Sequence, residues 1–535
     1  MAKEQAVNLA STTSVGAAHA LPAQRRIAWL DAIQASLSPW QLVATAMFVG
    51  AMLRIWRLDE LGYNSDEAVY AGQAAAFVND ANISPYFPLV RAHPMLFQFT
   101  LAMTFHYGVT DIVGRLVSVL FGVATLLLVF LVGRTLYDAW TGAVATLLLA
   151  LMPYHVVVSR QVLLDGPMTF FATLTLLLIA KYAATHSSRW LWAAAAGMGM
   201  TFLAKETGVV LVASVYAFLA LCMSIPIRLR DVIISSFILA TVVISFPVSL
   251  LLAGGGASEK AQGYLVWQLL RKPNHVWSFY PSTVPIAMGV LVVAAAVAGL
   301  WFLRRQHSWR ENLLLAWIAV PVIFFQLWPV KGFQYLLPTA PCVVLLASRA
   351  LRHWSLPAYA SGWRQVVSRV FPAITVTVLA LSLAAPAWSR VETVPSDRLL
   401  AGSGGMPGGR ETGDWIRQYV PEGAVFLCIG PSMANVVQFY GHRKAYGLSV
   451  SPNPLTRNPS YDPILNADRS IRTGEVQYLV YDVYSASRSA HFGDRILDFA
   501  ERYHGTIVHV AYVTITDENG ARQRTPVIII FEVRP

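Results

Sequence analysis

The chain is predicted to be an α-helical polytopic membrane protein with a small C-terminal α/β domain. Three observations predict it. Only 13% of its 535 residues are charged and the mean hydropathy is +0.51, whereas soluble proteins carry roughly 25% charged residues. Apolar runs of about 17 to 25 residues, each long enough to cross a hydrocarbon core, recur through the first three quarters. After Trp388 the pattern changes to short alternating strands and helices.

Residues 1–38 are rich in Ala, Ser and Thr and lack an apolar stretch followed by a cleavage site, so they read as a disordered cytoplasmic tail with a short amphipathic helix over Arg25–Leu37. The membrane domain, 39–389, divides into apolar runs at 40–56, 115–136, 140–157, 167–184, 190–204, 207–225, 232–253, 284–303, 311–329, 335–350 and 370–389. That is about eleven spans by length. With the N-terminus inside, the cytoplasmic loops collect Arg134, Lys181, Arg189, Arg228, Arg230, Arg304, Arg305, Arg310, Arg349, Arg352, Arg364 and Arg369. This is the positive-inside bias, and it accounts for the net charge of +11 without nucleic acid.

Two extracytoplasmic loops are too long to be simple connections. The loop 57–114 holds two helical patterns, Asp66–Val78 and His93–Tyr107, expected to lie at the interface. If His93–Tyr107 spanned instead, the later loops would invert and the Arg-rich ones would face outside. The loop Gly254–Pro285 carries Trp267, Trp277 and Tyr280, residues that favour the lipid interface. A Gly/Pro-rich linker, 390–410, leads to the extracytoplasmic domain 411–535. There, 424–430, 478–484, 506–515 and 527–533 read as strands, and 411–420, 432–440 and 491–503 as helices. The three cysteines lie in apolar runs or a strand and suggest no disulfide framework.

Asp66 and Glu67 follow the first span. They suit a helix start, with Ser65 as N-cap and acids against the dipole. They also suit chemistry, since a carboxylate beside the membrane needs a partner or a role, and a general base is such a role. Arg160 and Asp165 admit a structural ion pair, with Pro167 in a first helical turn. Lys205 and Glu206 break an apolar stretch too long for one span, and a snorkelling Lys is the plain alternative. Lys331 again lands outside. Arg115, Arg160, Lys205 and Lys331 thus share one depth from four segments, which points to an anion such as a lipid-linked phosphate. No recurring His and acid pairs mark a metal site, so neither metal nor cofactor is expected.

The motifs SDEAVY (65–70), AHPMLF (92–97), GRLVSVLFG (114–122), SRQVLLDGPMTFF (159–171), LAKETG (203–208) and KGFQYLLPTAP (331–341) resemble the GT-C superfamily of membrane glycosyltransferases, in the branch of protein O-mannosyltransferases and lipid A aminoarabinose transferases. They run in order through nearly all of the first 350 residues. The resemblance implies a polyprenyl-phosphate sugar donor and a hydroxyl acceptor on protein, lipid or polysaccharide. It implies Asp66 as base, Asp165 as second acid, and Lys205 and Lys331 as phosphate-binding cations; the expected site adds Glu67 beside the base, Arg160 and Arg115 from the shared depth, and Tyr70, His93 and Tyr335 against substrate. One displacement would invert the sugar at the outer face of the inner membrane. Ala68, Val69 and Met95 depart from the family pattern, which leaves donor-headgroup and acceptor contacts open. The WWDYG signature of oligosaccharyltransferases is absent. The competing class is a polyprenyl-lipid or glycolipid flippase. It fits less well, because transport sites sit near the bilayer midplane in repeated halves and no repeat is visible here.

Overall fold

The computed structural model describes residues 38–88, 93–222, 225–254, 256–306, 308–353, 363–392, 405–516 and 522–534. The expected tail and most of the expected linker lie outside them.

Helix α1 (Pro39–Ile55) starts at a capping box, Ser38 and Gln41 satisfying each other's backbone amides. The next segments are α2 (Ser65–Phe77), α3 (Leu96–Phe105), α4 (Asp111–Leu136), α5 (Ala139–Leu151), α6 (Pro153–Val158), α7 (Asp165–Thr185) and α8 (Ser188–Ala204). A 3₁₀ turn, Glu206–Val209, leads into α9 (Val210–Leu221), followed by α10 (Leu229–Val243) and α11 (Ser245–Ala253). Helix α12 (Ala257–Leu270) lies within the second long loop. Then come α13 (Phe279–Met288), α14 (Val290–Gln306), α15 (Trp309–Leu327), α16 (Ala340–His353) and α17 (Trp363–Glu392).

Among the described residues, five helical stretches are long and apolar enough to cross a membrane, six if α13 and α14, bent by 97°, count as one. This is a multi-pass membrane protein. Several of the eleven expected spans are shorter apolar helices, among them α1, α5 and the segment Glu206–Leu221. The run 140–157 breaks at Met152–Pro153, because a proline cannot donate the helical bond. Helix α3 has ten residues. At 1.5 Å per residue it reaches about 15 Å, half a hydrocarbon core, so His93–Tyr107 does not form a span.

Breaks inside an apolar bundle leave carbonyls that need donors. Arg54, fully buried on α1, supplies them to Gly50 O (2.7 Å) and to Ala150 O (3.1 Å) beside the α5–α6 break. It also meets Ser159 Oγ at 2.8 Å and His155 Nδ1 at 2.6 Å. Arg160 in turn donates to Leu53 O and Arg54 O at the end of α1. Helices α4 and α5 approach closely at Gly133 and Gly142, where a Cβ on Gly142 would fall 2.5 Å from Phe130 O.

The C-terminal domain comprises α18 (Gly409–Tyr419), β1 (Val425–Cys428), α19 (Pro431–Gly441), β2 (Lys444–Gly447), α20 (Ala467–Arg472), β3 (Tyr478–Asp482), α21 (Val483–Ala486), α22 (Ala490–Arg502), β4 (Thr506–Thr516) and β5 (Arg522–Glu532). The four expected strands and three helices form. The short strand β2, too polar to stand out in KAYG, is additional. The sheet order is β2-β1-β3-β5-β4, with β1 parallel to both neighbours and the β4–β5 hairpin antiparallel. Chain segment 405–410, expected as part of the linker, is bonded to the first long loop: Met406 N donates to Gly62 O, and Arg410 pairs with Asp111 and Asp59.

One apolar core joins that domain to the first long loop. Ala68, Ala71, Phe87 and Phe97 from the loop region pack in the same cluster as Phe426, Val436 and Phe439. Burying each large apolar side chain contributes about 1.5–3 kcal/mol, so the sheet is held as a fixed roof over α2.

Gly142→Leu is expected to force α4 and α5 apart, costing about 1–3 kcal/mol by overpacking. The readout is the thermal midpoint of the detergent-solubilised protein, which falls below wild type.

Candidate active site

Two neighbouring acids at the start of α2 have opposite fates. Glu67 is fully buried and accepts four hydrogen bonds. Arg115 grips both its oxygens at 2.9 Å, Val162 N reaches Oε1 at 3.1 Å, and Asn64 N reaches Oε2 at 3.0 Å. The last contact closes a capping box with Asn64, so the N-cap is Asn64 where Ser65 was expected. The remaining Arg115 donors go to Leu58 O, Leu61 O and Gly62 O. Such a bidentate pair with every proton assigned is a structural clamp. Glu67 and Arg115, expected at the catalytic and phosphate sites, therefore stand behind the site and have no capacity left for substrate.

Asp66, by contrast, is half-buried, and its carboxylate accepts no hydrogen bond among the described residues. It lines a cleft of about 470 Å³ with Tyr70, His93, Lys205, Lys331 and Tyr335. Burial pushes its carboxyl above the ordinary range, with the Lys205 ammonium acting in the opposite direction. Burial likewise raises the Tyr70 phenol far above its usual value, and the charge of Asp66 adds to this.

Lys205 sits in the break between α8 and the 3₁₀ turn, with extended backbone (φ −160°, ψ 132°). Its Nζ meets both oxygens of Asp165 at 2.8 Å and lies 4.7 Å from the Tyr335 ring centre. Asp165, at the start of α7, thus fixes a cation. Lys331 Nζ donates to Gln326 O (2.9 Å) and Trp328 O (3.1 Å), carbonyls at the frayed end of α15. Its ammonium also stands 5.4 Å from the Trp277 ring centre and 5.8 Å from that of Tyr280. The backbone of Lys331 is held reciprocally by Asn274, at 2.8 and 2.9 Å. His93 pairs with Glu206 at 2.8 Å, tying the first loop to the α8 break.

Arg160, expected among the phosphate ligands, is turned instead toward the carbonyls ending α1. The pattern of charge and depth could not separate a cation committed to backbone from one facing a cleft. It also missed Arg271, which lines the cleft beside Trp267, 4.4 Å from that ring. The signal lay in the aromatic-rich second loop, where Arg271 and Lys272 follow Trp267. Ser449, Ser451, Arg457 and Tyr461 of the C-terminal domain close the cleft from above, and nothing in their sequence marked them. Among the described residues no group of three or more His, Cys, Asp or Glu side chains forms a metal-ligand set, and the three cysteines are buried and free.

The structure thus combines a helical bundle, a lysine in a helix break, an unpaired acid on a packed helix and an α/β roof. Residues 92–250 match the family model described as dolichyl-phosphate-mannose-protein mannosyltransferase. ArnT from Cupriavidus metallidurans in the apo state is similar in structure over 95% of this chain and 98% of that one, with a TM-score of 0.67 at 14% identity. The same protein bound to undecaprenyl phosphate is similar over 92% and 97%, with a TM-score of 0.60 at 15% identity. The archaeal oligosaccharyltransferase AglB from Archaeoglobus fulgidus, in complex with an inhibitory peptide and a dolichol-phosphate, is similar over 91% and 74%, with a TM-score of 0.58 at 12% identity. No curated protein sequence matches the chain. At these identities the structural likeness is one of fold. The chain thus shares the fold of these glycosyltransferase structures, and its segment 92–250 is similar to the mannosyltransferase family.

The two acids should separate experimentally. Breaking the buried pair by Glu67→Gln or Arg115→Ala is expected to cost about 3–5 kcal/mol, read as a lowered thermal midpoint or loss of monodisperse protein. Asp66→Asn, which removes no hydrogen bond, is expected to leave the midpoint within a degree or two of wild type.

Proposed function

We propose that the protein transfers a single sugar from a polyprenyl-phosphate donor to an acceptor hydroxyl at the extracytoplasmic face of the membrane, with inversion. The observation that carries this reading is the unpaired Asp66 carboxylate sharing one cleft with Lys205 and Lys331, while its neighbour Glu67 is saturated. The donor's phosphate lies against Lys205, Lys331 and Arg271, and the isoprenoid chain extends toward the bundle. Asp66 takes the acceptor's proton as that oxygen bonds to the anomeric carbon. The bond from the anomeric carbon to the phosphate oxygen breaks, and the electron pair leaves with polyprenyl phosphate. The leaving group needs countercharge rather than a proton. Lys205, paired with Asp165, and Lys331 supply it in a confined site, where preformed charges act most strongly.

The raised carboxyl of Asp66 suits a base, because a more basic oxygen takes the proton more readily. Asp165 acts through Lys205 as a positioning residue, and Tyr70, His93 and Tyr335 line the space around the sugar. A flippase reading has less support. The charges gather at one end of the bundle, bounded by two loops and the C-terminal domain, instead of at its middle.

Asp66→Asn is expected to reduce transfer from a radiolabelled polyprenyl-phosphate sugar by at least 10³-fold, within the range of general base contributions of about 10²–10⁴. Binding of undecaprenyl phosphate should change by less than threefold. Unaltered turnover in this variant would dismiss Asp66 as the base. In the wild type, kcat/KM should fall as pH drops through the Asp66 titration, since only the ionised form accepts a proton. That acid limb should lie above the ordinary carboxylate range, and a limb near pH 4 would contradict the burial argument.

A further inference from the structure

A narrow apolar cavity lies at the end of the bundle away from the cleft, enclosed by α7, α8, α9 and α10. Its α7 lining runs from Thr175 to Tyr182, about 15–25 Å along the helix from Asp165 at about 1.5 Å per residue. Helix α8 contributes Leu191, Ala194 and Met198, and α9 contributes Val212 and Val215. The space measures about 100 Å³, comparable with the apolar cavities of about 150 Å³ that stay dry and admit benzene. Water finds no partners there, so hydrocarbon is the natural filling. The outer wall is α10, whose sole buried residue is Asp231, so membrane lipid has access to the cavity along that helix.

We propose that this cavity holds an acyl chain of an anionic glycerophospholipid whose phosphate rests against Arg228 and Arg189. The site is independent of the sugar-transfer reading. Two hydrogen bonds fix its rim. Ser188 Oγ donates to Asp231 Oδ2 at 2.7 Å, and Tyr182 Oη donates to Pro226 O at 2.9 Å. They hold the starts of α8 and α10 together, and with them the exposed Arg189 and Arg228. The charge of Asp231 is met by Arg230 at 3.6 Å. Neither Arg189 nor Arg228 forms an ion pair among the described residues; Arg189 lies 5.0 Å from the Trp190 ring centre. Arg228 is the N-cap of α10, and its spacing to Val232, Ser235 and Leu239 of the lining is that of one helix face. From Arg228 to Ser235 the helix rises about 10 Å, so a phosphate at Arg228 sets the glycerol esters near Ser235 and the chain beyond them. The buried Ser235 hydroxyl has no hydrogen-bond partner among the described residues, and its proton suits an ester carbonyl. The bias that gathers positive charge on one side of a membrane accounts for the arginines but not for the cavity beneath them. Basic pockets between transmembrane helices take anionic lipid headgroups by this pairing of charge.

The test titrates delipidated full-length protein in detergent with dioleoyl phosphatidylglycerol or dioleoyl phosphatidylcholine, read by native mass spectrometry. Wild type should bind one saturable equivalent of phosphatidylglycerol at least tenfold more tightly than phosphatidylcholine. Arg189→Ala combined with Arg228→Ala should bring the two lipids within threefold of each other, and the matching Lys pair should keep most of the preference. Ala195→Phe, which fills the cavity and leaves both arginines in place, should remove the tight equivalent. Ser236→Phe, at an exposed lining position, repeats that block without entering the core. Excess undecaprenyl phosphate should leave the bound phosphatidylglycerol in place. Several weak equivalents indifferent to these variants would mean annular lipid only and would overturn the site. Retention of the tight equivalent in both Phe variants would overturn it too, as would displacement by undecaprenyl phosphate, which would give the cavity to an isoprenoid chain.

Discussion

The buried Glu67–Arg115 pair is the interaction on which the site depends. A carboxylate and a guanidinium withdrawn from water are expensive unless every proton and lone pair is used, and here they are. The pair anchors the first turn of α2 to the top of α4 and, through Val162, to the segment before α7. Because α2 cannot rotate, the adjacent Asp66 is fixed on a different face of that turn, lining the cleft. Two acids one residue apart on a helix point about 100° apart. One is consumed by structure so that the other can be left without a partner.

The same economy of donors governs the rest of the bundle. Breaks at Met152–Pro153, at Lys205 and at the end of α15 expose carbonyls in or near an apolar medium, and basic side chains answer most of them. Arg54 and Arg160 serve the first break and the end of α1, while Lys331 serves the end of α15. Lys205 is held by Asp165 instead. The break at Lys205 thus places a held charge on the cleft wall.

The C-terminal domain belongs to the site as well. Its α19 packs against α2 in a common core, Tyr440 bonds to both Tyr63 N and Asp111, and Trp267 of the second loop donates to Thr456 O. These contacts make the sheet end a wall of the space around Asp66. The domain's parallel strands β1 and β3 place their carboxyl ends at that wall.

Composition and spacing were enough for the helical membrane class, the α/β tail domain, the two long loops and the motifs carrying Asp66, Lys205 and Lys331. These are properties of hydropathy and local pattern, legible one segment at a time. What tertiary structure alone decided is which charges are spent. Arg115 and Arg160 matched Lys205 and Lys331 in depth and sign, yet their donors are committed to Glu67 and to helix-end carbonyls, partners 48 and more than 100 residues away. Arg271, Ser449 and Ser451 enter the site only because distant segments fold over it. A hydrogen-bond ledger closes in three dimensions, so the sequence could name the charged residues but not say which of them remain available to a ligand.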